Sequence, residues 1–247
     1  MVLGLPLGSI IANTAILPSP GILRLPMLLT AIPMFISAFI SLSLSEPKVR
    51  RRPRRSESIF FGIRFFLGHR VLRVLVFDLV SISVTTYFIF WFYQSALQSL
   101  NIGIFYFGFV GAAFYLLPIV ALAYVKRIEK VVGKRRLLFL TALIPGIFYA
   151  MMGLSFNLPV VIVAIFAIVG ANIFRDPLFD SYINAHVPSD RRATVLATLS
   201  TFERLAMMVA YPIVGLLSDW SLQYTFLLLG MATIALALSS RVTNEML

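Results

Sequence analysis

Long apolar runs separated by short charged connections dominate the pattern along the chain. A hydrocarbon core ~30 Å thick is crossed by ~20 apolar helical residues. Runs at 25–44, 71–97, 102–125, 137–156, 159–179, 193–217 and 224–240 reach that length, and a run at 2–17 falls short of it. The spacing predicts seven membrane spans and one stub. Several runs are rich in Val, Ile and Phe and so also suit buried strands, but their length favours helices. They lack the alternation over ~10 residues that transmembrane barrel strands need. The expected class is an all-α polytopic membrane protein.

Composition agrees with the pattern. Hydrophobic residues make up 60% of the 247, and the mean hydropathy is +0.93. A water-soluble globule of this size has too little polar surface to cover such a core. The formal net charge of +11 would suggest a nucleic-acid partner on a soluble chain. Here the basic residues cluster between apolar runs, so membrane topology and lipid contact account for them and no nucleic acid is expected. "EPKVRRRPRRSES" (46–58), "VKRIEKVVGKRR" (125–136), "SDRRA" (189–193) and Arg241 mark one side, while "QSLNIG" and "LSFNLP" on the other carry no charge. The positive-inside rule places 46–70, 126–136, 189–192 and the C-terminus in the cytoplasm. A multi-pass protein of the plasma membrane is expected.

Other chemistry is sparse. With no cysteine, disulfides and thiolate metal sites are excluded. His69 and His186 are the only histidines and lie far apart in sequence, so no metal site and no cofactor is expected. The first run has no basic residues before its apolar part and reads poorly as a signal peptide. Met1 is expected to lie inside a helix that begins further upstream. "SIFFGIRFFLGHR" (58–70) interleaves Phe60, Phe61, Phe65 and Phe66 with Arg64, His69 and Arg70. Such a pattern suits either a helix lying in the cytoplasmic interface or an extension of the next span.

The order of helices and basic loops resembles the major facilitator superfamily, MFS. "VPSDRRATVLATLSTF" (187–202) is similar to the turn into the eleventh helix of drug-efflux-type members. "YPIVGLLSDWSLQYTFLLLG" (211–230) resembles their passage from that helix into the twelfth, and "GKRR" (133–136) looks like the end of the loop signature between helices eight and nine. Only part of the antiporter glycine–proline signature is matched by "GLPLG" (4–8). The resemblance implies that 71–247 forms a C-terminal six-helix half, with 1–45 supplying the last one and a half helices of the N-terminal half and 46–70 a basic linker. The missing helices would then come from an upstream part or from a second chain. It also implies that the seventh and tenth helices face a central cavity, while the charge-free ninth (137–156) and twelfth (224–240) face lipid.

Charges inside the bilayer cost about 2.5–3.5 kcal/mol each and so face a cavity or a partner. At ~1.5 Å per residue, Glu203 and Arg204 lie about 16–18 Å beyond Arg192, near mid-bilayer. Neighbours ~100° apart on a helix cannot satisfy each other, so each needs a partner elsewhere. Asp78, Ser81 and Thr85 share one face of the seventh helix. Asn172, Asp176, Asp180 and Asn184 recur every four residues as a polar ladder, with Arg175 beside it and Pro177 within it. The ladder reads as the lining of a cavity mouth or gate, or as the plain exit of a helix from the membrane.

A carboxylate in low dielectric can load and release a proton as a cavity alternates, which makes Asp78 and Glu203 proton-coupling candidates. An ion pair between halves, with Arg204 as a member, is the competing role for Glu203. The expected function is secondary transport by alternating access, with proton-coupled export of a small organic substrate. An uptake symporter and a non-transporting membrane remnant or scaffold are the alternatives. An intramembrane enzyme is disfavoured, because no nucleophile–base or metal-ligand pairing appears at helical spacing.

Overall fold

The computed structural model describes residues 9–10, 21–44, 55–188 and 192–243. The chain divides into two compact units, 1–53 with 101–116, and 54–100 with 117–247. Among the described residues, all regular structure is helical. The helices are α1 (Gly21–Leu42), α2 (Arg55–Gly68), α3 (Arg70–Tyr87), α4 (Ile89–Ser99), α5 (Ile104–Val132), α6 (Lys134–Leu154), α7 (Leu158–His186), α8 (Arg192–Trp220) and α9 (Leu222–Ser239).

Five segments are long and apolar enough to cross a membrane: Arg70–Ser99, Lys134–Leu154, Leu158–His186, Arg192–Trp220 and Leu222–Ser239. The two parts of α5, counted together, make a sixth. The protein is thus an all-α, multi-pass integral membrane protein. The stub at 2–17 and the arginine-rich segment at 46–54 lie outside the described residues, apart from a fragment at 9–10. In the first unit, α1 carries the apolar stretch Thr30–Leu42, too short by itself for a crossing, with Met34, Phe35 and Phe39 exposed.

Element boundaries follow from local chemistry. Between α5 and α6 the chain turns at Gly133, whose φ of +85° lies in the left-handed region that a side chain disfavours. Asn157 caps α7 by accepting a hydrogen bond from the Val160 N–H at 3.1 Å, with Pro159 in the first turn. Ser221 caps α9 in the same way through the Tyr224 N–H at 3.4 Å. The backbone is extended at His69, with φ −111° and ψ 108°, so "SIFFGIRFFLG" belongs to a separate helix and does not extend the next span.

The run expected as a single helix at 71–97 is interrupted at Phe88. Thr85 and Thr86 both donate their hydroxyls back to the Ile82 carbonyl, at 3.0 and 2.8 Å. Such back-bonding loosens a helix. The Thr86 carbonyl also accepts the Tyr149 hydroxyl of α6 at 3.1 Å, which satisfies it from outside its own helix.

Packing in the second unit centres on α3, α6, α7 and α9. The closest seam joins α6 and α9. A Cβ added at Gly230 would lie 2.5 Å from the Ala150 nitrogen, so only glycine admits this approach. Aromatic rings fill the layer beside it, with Phe226 against Tyr149, Phe156 and Phe92 at centroid distances of 5.9, 6.2 and 6.2 Å. Helix α2 docks on α8: Phe66 is buried and meets Phe202 at 5.9 Å.

The basic connections gather at one end of the unit. Arg70, Arg73 and Arg241 line one cavity there, and Lys134, Arg135 and Arg136 line a neighbouring one. Glu129 at the end of α5 accepts the Tyr182 hydroxyl of α7 at 2.8 Å, and the Lys134 ammonium lies 5.2 Å from the Tyr182 ring centroid. At the opposite end, Gln223 donates to the Gly153 carbonyl at 3.0 Å.

Candidate functional site

The sequence places Asp78 and Arg175 97 positions apart, on α3 and α7. The fold joins them. An Arg175 Nη2 donates to Asp78 Oδ2, forming an ion pair within the bundle. Arg175 is 1% exposed and Asp78 7%. The guanidinium also donates to the Leu138 carbonyl of α6 at 2.9 Å and to the Asp78 carbonyl at 3.4 Å. Its Cζ lies 4.6 Å from the centroid of Phe179, one turn further along α7. One cation therefore ties three helices together, while its Nε has no hydrogen-bond partner. Grouped by sequence with the polar ladder, Arg175 instead points into the packed interior.

A second set of charges is carried on α7 and α8. Asp176, Asp180 and Glu203 lie within electrostatic reach of one another. Asp176 and Asp180 are exposed, and Glu203 is half-buried. Arg204 is exposed, and among the described residues neither Glu203 nor Arg204 has a salt-bridge partner. Helix α8 is the least buried of the five spans, and its exposed side carries Leu205, Met208, Val209 and Leu216. Among the described residues no group of three acidic or imidazole side chains is arranged to hold a metal ion.

The remaining candidates separate. Ser81 joins Asp78 in lining a cavity of 530 Å³ between α3 and α9. Thr85, one turn on, is instead engaged with the Ile82 carbonyl. In the ladder, Asn172 and Asn184 are half-buried and flank the two exposed aspartates. Among the described residues the Asn184 Oδ1 is buried without a partner, and the Asn184 backbone carbonyl accepts from Arg192 at 3.4 Å. Helix α7 continues unbroken past Pro177 to His186, seven residues beyond the expected span end at 179.

Two features escaped sequence reasoning. Tyr182 sits in the ladder segment, but nothing local announces its bond to Glu129, 53 positions away. The meeting of Arg70 and Arg73 with Arg241 was equally hidden, although their common side of the membrane was signalled by charge alternation.

The family model of the Major Facilitator Superfamily matches residues 79–244, about two thirds of the chain. With its all-helical, multi-span architecture, the chain belongs to the major facilitator superfamily, a family of membrane transporters. No curated protein matches the chain significantly.

Proposed function

We propose that the protein works as a proton-coupled secondary transporter that exports small organic molecules by alternating access. The observation that carries the reading is the group of three carboxylates, Asp176, Asp180 and Glu203, within mutual electrostatic reach and without a salt-bridge partner among the described residues. Carboxylates carried on membrane-spanning helices without a salt-bridge partner are groups that can take up a proton or another cation as the bundle moves. Asp78, in contrast, is already paired with Arg175. The roles therefore divide: Glu203 carries the proton, and the Asp78–Arg175 pair holds α3, α6 and α7 in register as the bundle moves. Asn172, Asp176, Asp180 and Asn184 line the mouth through which the cavity opens.

The gathering of basic residues at one end of the second unit supports a cytoplasmic C-terminus, and the plasma membrane is the proposed location.

The test is transport in proteoliposomes carrying a pH-sensitive dye and challenged with ethidium as an amphipathic probe. Ethidium movement driven by an imposed pH gradient is expected, accompanied by proton counterflow. Glu203→Gln should lower gradient-driven accumulation at least tenfold while leaving ethidium exchange without a gradient in place. Normal coupling in that variant would remove Glu203 from the carrier role. Ethidium movement with no proton flux in the unmodified protein would refute proton coupling altogether.

A further inference from the structure

The 530 Å³ cavity between the start of α3 and the end of α9 has an unusual lining for a bundle this apolar. Arg70 and Arg73 reach it from the first turn of α3, and Arg241 from the residue pair after α9. Among the described residues, none of the three guanidiniums has a carboxylate within salt-bridge distance. The single acidic residue in the lining, Asp78, is already neutralised by Arg175. Three cations without an acidic partner among the described residues thus border one space.

The hydroxyls of Ser239 and Ser240 add hydrogen-bonding capacity at the same end. The other wall is apolar, with Val74, Phe77 and Leu236, and Phe77 is 67% exposed. A ring so exposed on a membrane-spanning helix is suited to contact with an acyl chain. The cavity therefore offers cations at the membrane boundary and an apolar path below them.

We infer that this cavity binds the phosphate group of an anionic phospholipid, with Arg70, Arg73 and Arg241 around the phosphate and an acyl chain along Val74 and Phe77. Guanidinium forks match phosphate oxygens in pairs, which a hydrated ammonium does not. The neighbouring basic cavity is weaker ground, since Lys134, Arg135 and Arg136 are consecutive on one helix and point in different directions. The inferred site does not depend on proton coupling or on export, because it uses none of the carboxylates assigned to them. Its effect is to anchor α9 against α3 through a shared lipid.

The experiment is native mass spectrometry of the full chain in detergent, titrated with phosphatidylglycerol or with net-neutral phosphatidylcholine. Each arginine near an anionic headgroup contributes about fivefold in affinity, from about 1 kcal/mol per charge. Phosphatidylglycerol is expected to bind about a hundredfold more tightly than phosphatidylcholine. The double variant Arg73→Gln/Arg241→Gln should lose about thirtyfold, and Lys126→Gln/Arg127→Gln on α5 should lose nothing. Displacement of the lipid by inorganic phosphate at millimolar concentration would support phosphate recognition but assign the source to a soluble anion. Equal binding of the two lipids, or undiminished binding by the double variant, overturns the inference. Should the double variant fail to fold, protection of Arg73 and Arg241 from phenylglyoxal by phosphatidylglycerol in the unmodified protein gives the same answer, and modification at an unchanged rate overturns it.

Discussion

Replacing Asp78 by alanine strips the counter-charge from Arg175, which is 1% exposed and sits among three helices. An arginine cannot shed its proton, so the charge stays and must be borne without a partner. Breaking a buried pair in this way costs about 3–5 kcal/mol, and two carbonyl bonds remaining to the guanidinium keep the figure toward the lower end.

Arg175→Met leaves a different residue behind. Asp78 lines an open cavity that water can enter, and the Leu138 carbonyl keeps the Thr141 hydroxyl at 3.0 Å. The cost should fall to about 1–3 kcal/mol. The double variant Asp78→Leu/Arg175→Met removes both charges and should cost less than Asp78→Ala alone, since apolar replacement of a buried pair is often neutral. The measurement is reversible unfolding in mixed micelles by denaturing detergent, followed by far-ultraviolet circular dichroism. Equal costs of the two single variants would refute the asymmetry between stranding Arg175 and stranding Asp78, and a double variant that costs their sum would mean that the charges are not coupled.

Two further perturbations test the packing. Gly230→Ala should destabilise by about 1–3 kcal/mol, because its new Cβ meets backbone at 2.5 Å, whereas Gly170→Ala, with nothing within 4 Å, should be neutral or stabilising by up to about 1 kcal/mol. Loss of stability in Gly230→Ala alone is the expected outcome in the same unfolding assay, and a Gly230→Ala variant as stable as the parent would refute the close α6–α9 seam. Tyr149→Phe removes the bond to the Thr86 carbonyl and should cost about 1 kcal/mol. The same unfolding assay reads the loss, and unchanged stability would show that this bond contributes nothing to the packing of α6 on α3.

Much of the span pattern was legible in the chain before any packing was known: of the seven expected runs, five appear as single segments of crossing length among the described residues and the two parts of α5 make a sixth, while at 25–44 the apolar stretch Thr30–Leu42 is too short by itself. Bilayer thickness imposes a fixed apolar length, and unsatisfied backbone groups in hydrocarbon leave the helix as the answer for runs of this kind. Charge alternation likewise assigned the basic segments to a common side, and among the described residues Arg70, Arg73 and Arg241 gather at one end of the second unit with Lys134, Arg135 and Arg136. Boundaries were less legible: α5 and α7 each run seven residues beyond the expected ends at 125 and 179, because a helix does not stop where hydrophobicity does.

Only tertiary structure decided which polar groups meet. On one helix, Asp176 and Arg175 are neighbours in sequence yet diverge by ~100°, so one reaches the surface and the other the interior. Arg175 finds Asp78, Glu203 finds the two ladder aspartates, and Arg241 joins Arg70 and Arg73, each across helices that are distant in sequence. Helical periodicity tells which residues share a face, but helix packing alone determines what that face touches, because the pairing of helices is set by close contacts such as Gly230 on Ala150.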